Sequence, residues 1–298
     1  MDKNQLAFTD YLLQEKNYSI HTVRAYEKDL YDFAEFVVTN FEQENLTEVN
    51  YSQIRSWIVF LMDNGLSPVS VNRKMASLKA FYKFLLKSKQ IEINPFVKHR
   101  SLKTGSKIQI PFSETEVKAV LTEGSFADDF EGKRNKLIID LFYATGMRRA
   151  ELIELKLQNV DLYLNTIKVL GKRNKERIIP VLPNISSQIK DYLEERSGLE
   201  VIQEEGLFFL TKLGKKLNIS LVYRLINGYF SGVTEKVKTS PHIIRHSFAT
   251  HLLNNGADLN SVKDLLGHAS LASTQVYTHN SLAELKKVHG ASHPRRKK

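Results

Sequence analysis

The chain has 298 residues, 42% of them hydrophobic, enough to bury real cores and long enough that two domains are expected rather than one. Its 43 Lys and Arg outnumber its 33 Asp and Glu, and the net charge of +10 favours a polyanionic partner, nucleic acid first. Cysteine is absent, which excludes disulfides, thiolate metal sites and thiol nucleophiles. Without an apolar run near ~18 residues or an apolar N-terminal stretch, a cytoplasmic protein with no membrane partner is expected.

The first ninety residues read as helices. Leu6, Tyr11 and Leu12 begin one apolar stripe; Ser19 caps a second helix in which Val23, Tyr26, Leu30, Phe33 and Val37 recur at three- and four-residue steps. A third helix covers roughly Ser52 to Asn64, and Gly65 stops it. Ser67-Pro68 opens a fourth, SPVSVNRKMASLKAFYKFLLKSK, with Val71, Leu78, Phe81 and Leu85 on its apolar face. Arg73, Lys74, Lys79 and Lys83 lie around that face. They read either as solvated charge or as a phosphate-contacting surface.

From Ile91 to Pro111 the helical period is lost in a stretch of Pro, Gly and basic residues, which reads as a linker. The expected domains are therefore a helical one at 1–90, a linker at 91–111 and a second domain at 112–298. Ser113 and Glu116 form a capping box, and a later helix, LIIDLFYATG, stops at Gly146. TIKVLGKRNKERIIPV alternates apolar and polar residues on both sides of GKRNK. It predicts a β-hairpin with a basic tip, preceded by a short strand near Val160 to Tyr163.

TSPHIIRHSFATHLLNNG is a helix of about four turns, punctuated by Ser240, Pro241 and Gly256. His242 and Arg245 share a face at its N-terminus, where free amides attract anions, while Phe248, Leu252 and Leu253 read as core. His246 and His251 read as packed or hydrogen-bonded side chains. His242 and His246 stand four apart, but no zincin pattern joins them. Asp258 opens a short helix that Gly267 ends, His268 follows, and a further short helix over roughly Leu271 to His279 carries Tyr277. In isolation Tyr277 reads as a half-buried phenol.

ATGMRRAEL, GKRNKER, HIIRH and LLGH…VYTH, in this order, resemble the tyrosine recombinase (phage integrase) family, and within it the Xer-type site-specific recombinases. The resemblance spans essentially the whole chain, including the basic helical N-terminal part and the HPRRKK end. It implies a mainly α fold with a small antiparallel β-sheet: a helical, SAM-like core-binding domain and an α+β catalytic domain ending in a C-terminal exchange tail. It assigns Arg148 and Arg245 as catalytic arginines, Lys172 as the hairpin lysine, His242 and His268 as the two histidines, and Tyr277 as the nucleophile. Met147, Arg149 and Ala150 depart from the residues the family favours beside these positions. No metal or other cofactor is implied. The implied partners are a double-stranded recombination site, a second recombinase of the same type in a cyclic tetramer, and a cell-division DNA translocase as activator.

The residue types suit that chemistry. Two guanidiniums offer paired hydrogen bonds to the nonbridging oxygens of a phosphodiester under attack. A lysine at a hairpin tip can protonate the 5′-oxygen that leaves, and a phosphotyrosyl link stores the bond until a second 5′-hydroxyl reseals it. The implied task is resolution of chromosome dimers. A mobile-element integrase, a type IB topoisomerase-like nicking enzyme and a non-catalytic DNA-bending protein remain as alternatives, the last having no use for Tyr277. The tail offers Leu282, Leu285 and Val288 at three-residue steps, a stripe to be buried on its own domain or on a neighbouring protomer.

Overall fold

The computed structural model describes residues 2–105, 109–122, 126–171, 176–233, 239–267 and 279–294, with side chains in the last segment from 286 onward. It divides into two compact units, Met1–Lys107 and Ile108–Lys298. No described helix is long and apolar enough to cross a membrane.

The first unit contains helices α1 (Lys3–Asp10), α2 (Ile20–Phe41), α3 (Tyr51–Asp63) and α4 (Pro68–Lys87), with a π-helical turn at Tyr11–Glu15. Their ends follow the capping chemistry of the sequence. Ser19 accepts the Thr22 amide and Ser67 the Ser70 amide, both at 3.3 Å, and Pro68 fills the first turn of α4. Val23, Leu30, Phe33, Val37, Val71, Leu78, Phe81 and Leu85 are all buried, around Trp57 and Tyr82. Leu6, expected in the stripe, is 55% exposed. Phe8 and Leu12 set the phase of that face, and Leu6 stands two residues from Phe8, about 200° around the helix.

Part of the stretch 91–111 that reads as a linker is held to the first unit. Phe96 is buried in the first unit's core, and the Asn72 side chain exchanges two 2.9 Å hydrogen bonds with the backbone of Leu102. An aperiodic stretch can still be anchored by one aromatic ring and one amide, which periodicity does not register.

In the second unit the order is α5 (Glu114–Leu121), α6 (Phe130–Thr145), α7 (Arg149–Ile153), strands β1 (Val160–Asp161), β2 (Thr166–Leu170) and β3 (Glu176–Pro180), then α8 (Pro183–Ser197), α9 (Ile219–Ser231), α10 (Pro241–Asn254), α11 (Leu259–Leu266) and α12 (His279–Ser292). The sheet is antiparallel in the order β1-β2-β3, with β2 and β3 paired from Thr166↔Pro180 to Leu170↔Glu176. This is the mainly helical fold with a small sheet that the sequence implies. From Leu137 to Met147 every residue is buried, so α6 is the axis against which α8 and α10 pack.

Helix α12 packs on β3, α10 and α11 of its own unit. Val288 is half-buried against the unit's core, and His289 and His293 are buried; their Nε2 atoms meet the carbonyls of Ala144 at 2.6 Å and Tyr143 at 3.0 Å. The described part of the tail is thus seated on its own domain. Leu282 and Leu285 lie outside the residues whose side chains are described.

Candidate active site

The buried axis ends at the site. Gly146 caps α6 in the left-handed conformation (φ +58°), returning its amide to Phe142 at 3.0 Å. A Cβ there would stand 2.4 Å from the ring of Phe248 and 2.9 Å from Leu266, so glycine is required by backbone and by packing alike. Arg148 follows at once, at the N-terminus of α7. Its amide donates to Glu151 Oε2 at 2.6 Å, its Nη1 to Glu151 Oε1 at 2.8 Å, and its Nη2 to the carbonyl of Gly267 at 3.1 Å.

Arg245 arrives from the first turns of α10. It donates to the carbonyl of Gly146 and, at 2.8 Å, to that of Leu266. Arg148 and Arg245 are therefore neighbours, holding consecutive carbonyls at the end of α11, where the partial negative charge of a helix C-terminus attracts cations. Burial, then the charges of Arg148 and Arg177, push Arg245 down to about 10, which leaves it protonated at neutral pH. His242, one turn earlier on α10, is exposed as a residue, yet partial desolvation of its ring and then the charges of Arg149 and Arg245 hold it below the ordinary histidine value. It is neutral at pH 7 and can accept a proton.

The structure thus brings together Arg148, Arg245 and His242. Lys172, His268 and Tyr277 lie outside the described residues, as does the short helix expected to carry Tyr277. The described chain reaches the edges of their segments: Gly171 and Glu176 flank the hairpin tip, Gly267 precedes His268, and α12 starts at His279. Among the described residues no three His, Asp or Glu side chains gather as a metal site.

Other expectations for α10 divide. Phe248 and Leu252 are buried, and His251 is buried with its Nδ1 2.8 Å from the Tyr143 hydroxyl. His246 is exposed and Leu253 is 39% exposed, so neither is core. Leu253 stands about 100° round the helix from the buried Leu252, on the side of α10 turned away from the core.

Two of the four candidate DNA contacts are committed within their own unit. Arg73 grips Asp29 through two 2.7 Å bonds, Lys74 reaches Asp29 at 3.1 Å and Asp32 at 2.7 Å, and Ser77 donates to Asp29 at 2.7 Å. Asp29 is 1% exposed, and a buried carboxylate needs such partners. Lys79 and Lys83 are exposed, and among the described residues neither joins an ion pair.

Sequence reasoning passed over Asp29, Arg177 and the role of Glu151. Arg177, on β3, pairs both oxygens of Glu151 at 2.7 and 2.8 Å with both side chains buried, and donates Nε to the Leu265 carbonyl at 2.9 Å. The signal existed. The alternation that makes Ile179 and Val181 inward makes Arg177 inward too, and Asp29 sits among the apolar positions Tyr26, Leu30 and Phe33.

The description of the phage integrase family matches residues 125–284, and that of the phage integrase N-terminal SAM-like domain matches residues 6–89. The chain is 36% identical over 301 residues to tyrosine recombinase XerC of Staphylococcus haemolyticus, and 38% identical over 298 residues to that of Staphylococcus epidermidis. Each comparison covers 100% of this chain and 99% of the relative. Its backbone resembles the post-cleavage complex of the site-specific recombinase XerH with palindromic difH substrate. There the TM-score is 0.67 and the identity 25%, with 96% of this chain and 84% of the other covered.

Proposed function

Since this chain belongs to the phage integrase family and is a site-specific tyrosine recombinase, we propose that it resolves chromosome dimers in the cytoplasm by cutting and rejoining a dif-like DNA site through Tyr277. The observation that carries the reading is the pairing of Arg148 with Arg245 over one helix end, beside a neutral His242. A scissile phosphate meeting both guanidiniums exchanges carbonyl acceptors for charged oxygens, a stronger class of hydrogen bond.

The steps follow from the groups. Tyr277 Oη attacks phosphorus as His242 takes the phenolic proton; the Oη–P bond forms and the P–O5′ bond breaks. Lys172 passes a proton to the departing 5′-oxygen, and His268 donates a hydrogen bond to the phosphate. Arg148 and Arg245 stabilise the added negative charge, a contribution of about 2.7–4 kcal/mol for each preorganised donor. The reverse sequence with a 5′-hydroxyl from the partner strand reseals the duplex without an external energy source, because the diester energy stays in the phosphotyrosine.

Exchange between two duplexes breaks four strands, and each protomer carries one nucleophile, so the acting form is a tetramer. Its other subunits are drawn from this chain and a second recombinase of the same type, and a cell-division translocase supplies the activating contact. Lys79 and Lys83 provide phosphate contacts from the first unit. Mapping covalent attachment of this protein across the chromosome of its cell tests the proposal. One palindrome-like site near the region where replication ends supports it; attachment at the ends of a mobile element contradicts the cellular task while leaving the chemistry intact.

A further inference from the structure

Three guanidiniums converge on the last turn of α11. Arg177 Nε meets the carbonyl of Leu265 at 2.9 Å, Arg245 Nη2 that of Leu266 at 2.8 Å, and Arg148 Nη2 that of Gly267 at 3.1 Å. Arg177 is the deepest of the three, with its side chain 5% exposed. It stands opposite Val169 in the β2–β3 register, at an inward position where an apolar side chain is the ordinary occupant.

Glu151 serves two arginines at once. Its Oε1 accepts from Arg177 Nη1 and Arg148 Nη1, and its Oε2 from Arg177 Nη2 and the Arg148 amide. Counting charge shows why that matters. Arg148 with Glu151 alone is a neutral pair, which offers little to a phosphate; with Arg177 the group carries one net positive charge. Arg177 and Glu151 are buried and Arg148 is partly so, so water screens this difference less than it would at the surface. A second observation ties Arg177 to the end of α11: a Cβ on Gly267 would lie 3.0 Å from Arg177 Cδ, so the glycine gives the guanidinium its room.

We propose that Arg177 is a positioning residue for strand cleavage. By occupying both oxygens of Glu151 and anchoring the Leu265 carbonyl, it leaves Arg148 with uncancelled charge for the scissile phosphate and fixes the point from which His268 departs. It never touches DNA. This rests on the reading of Arg148 as a phosphate-binding arginine.

The test is single-turnover cleavage of a nicked, site-bearing duplex with either an ordinary phosphodiester or a methylphosphonate at the scissile position, the latter lacking one anionic oxygen. Thermal melting and half-site affinity are recorded for each variant. Arg177→Met should slow diester cleavage by about 100-fold, with affinity held within about threefold, yet slow methylphosphonate cleavage by less than about tenfold. Adding Glu151→Gln, which removes the carboxylate that cancels Arg148, should recover at least about tenfold on the diester.

Equal losses on the two substrates, or no recovery in the double variant, reduce Arg177 to a strut and overturn the proposal. Should Arg177→Met alone be too unstable to assay, the double variant decides. Diester cleavage within about tenfold of the unsubstituted protein supports the proposal, and a greater loss overturns it. If the unsubstituted protein forms no adduct at all, the reading of the site itself falls, an outcome distinct from any difference among the variants.

Discussion

Arg148 donates a hydrogen bond at 3.1 Å to the carbonyl of Gly267, 119 positions away. His268 is the next residue, so the arginine at the head of α7 and the segment running to Tyr277 share a fixed point. Gly267 holds φ at +63°, and a side chain there meets the left-handed penalty of about 1–2 kcal/mol along with the crowding against Arg177. Gly267→Ala should lower the melting temperature by roughly 2–4 °C per kcal/mol lost and slow cleavage, while half-site binding persists. A variant that melts and cleaves like the unsubstituted protein contradicts this fixed point.

The neutral state of His242 has a pH signature. Partial desolvation and the charges of Arg149 and Arg245 lower the proton affinity of this exposed residue, so the base form prevails down to a pH below the ordinary value of about 6.5. Single-turnover cleavage should be flat through neutral pH and fall only below about 6.5, as the imidazole gains its proton. His242→Gln should drop the plateau by about 100-fold and abolish this inflection. An inflection unchanged in the Gln variant assigns it to another group.

Stability should carry a second pH dependence, from His289. Burial lowers its proton affinity against the opposing hydrogen bond to Ala144, so at mildly acidic pH the unfolded chain binds a proton that the folded chain refuses. The stabilisation is complete above about 6.5 and is lost as pH falls from there through the lower folded value. Melting temperature should decline between pH 7 and 5, and His289→Gln should decline less steeply. Parallel curves would place the acid sensitivity elsewhere.

In the first unit Arg73 and Lys74 are bound to Asp29, while Lys79 and Lys83 are exposed. Neutralising Lys79 and Lys83 together should flatten the salt dependence of DNA affinity by about one phosphate for each, with melting unchanged. Arg73→Gln should instead lower the melting temperature, because it uncovers the buried Asp29. If Arg73→Gln alters the salt slope and leaves melting untouched, the division is wrong.

How much of this was readable before the structure depended on whether a residue's partner lies nearby in sequence. Ser19, Ser67 and Gly146 act within a turn of their own position, and the hairpin around GKRNK declares itself by alternation. Motifs in a fixed order single out Arg148, His242 and Arg245, which the fold places near one helix end. Asp29 and Arg177 were missed because their meaning lies in partners 44 and 26 residues away, and a lone charge on an apolar face looks like an irregularity until its partner is seen. Within the stretch that reads as a linker, Phe96 and Leu102 are held by packing and by Asn72, neither of which has a period.

In the proposed reaction Tyr277 carries the DNA between cutting and rejoining. Incubating the protein with a nicked, site-bearing duplex lets the short cleaved strand diffuse away and traps the covalent intermediate; digestion and mass spectrometry then locate the nucleotide on the protein. A phosphotyrosyl adduct should appear at Tyr277 and be lost completely in Tyr277→Phe, with half-site binding retained. An adduct that survives in Tyr277→Phe, or one that maps to another residue in the unsubstituted protein, contradicts this expectation.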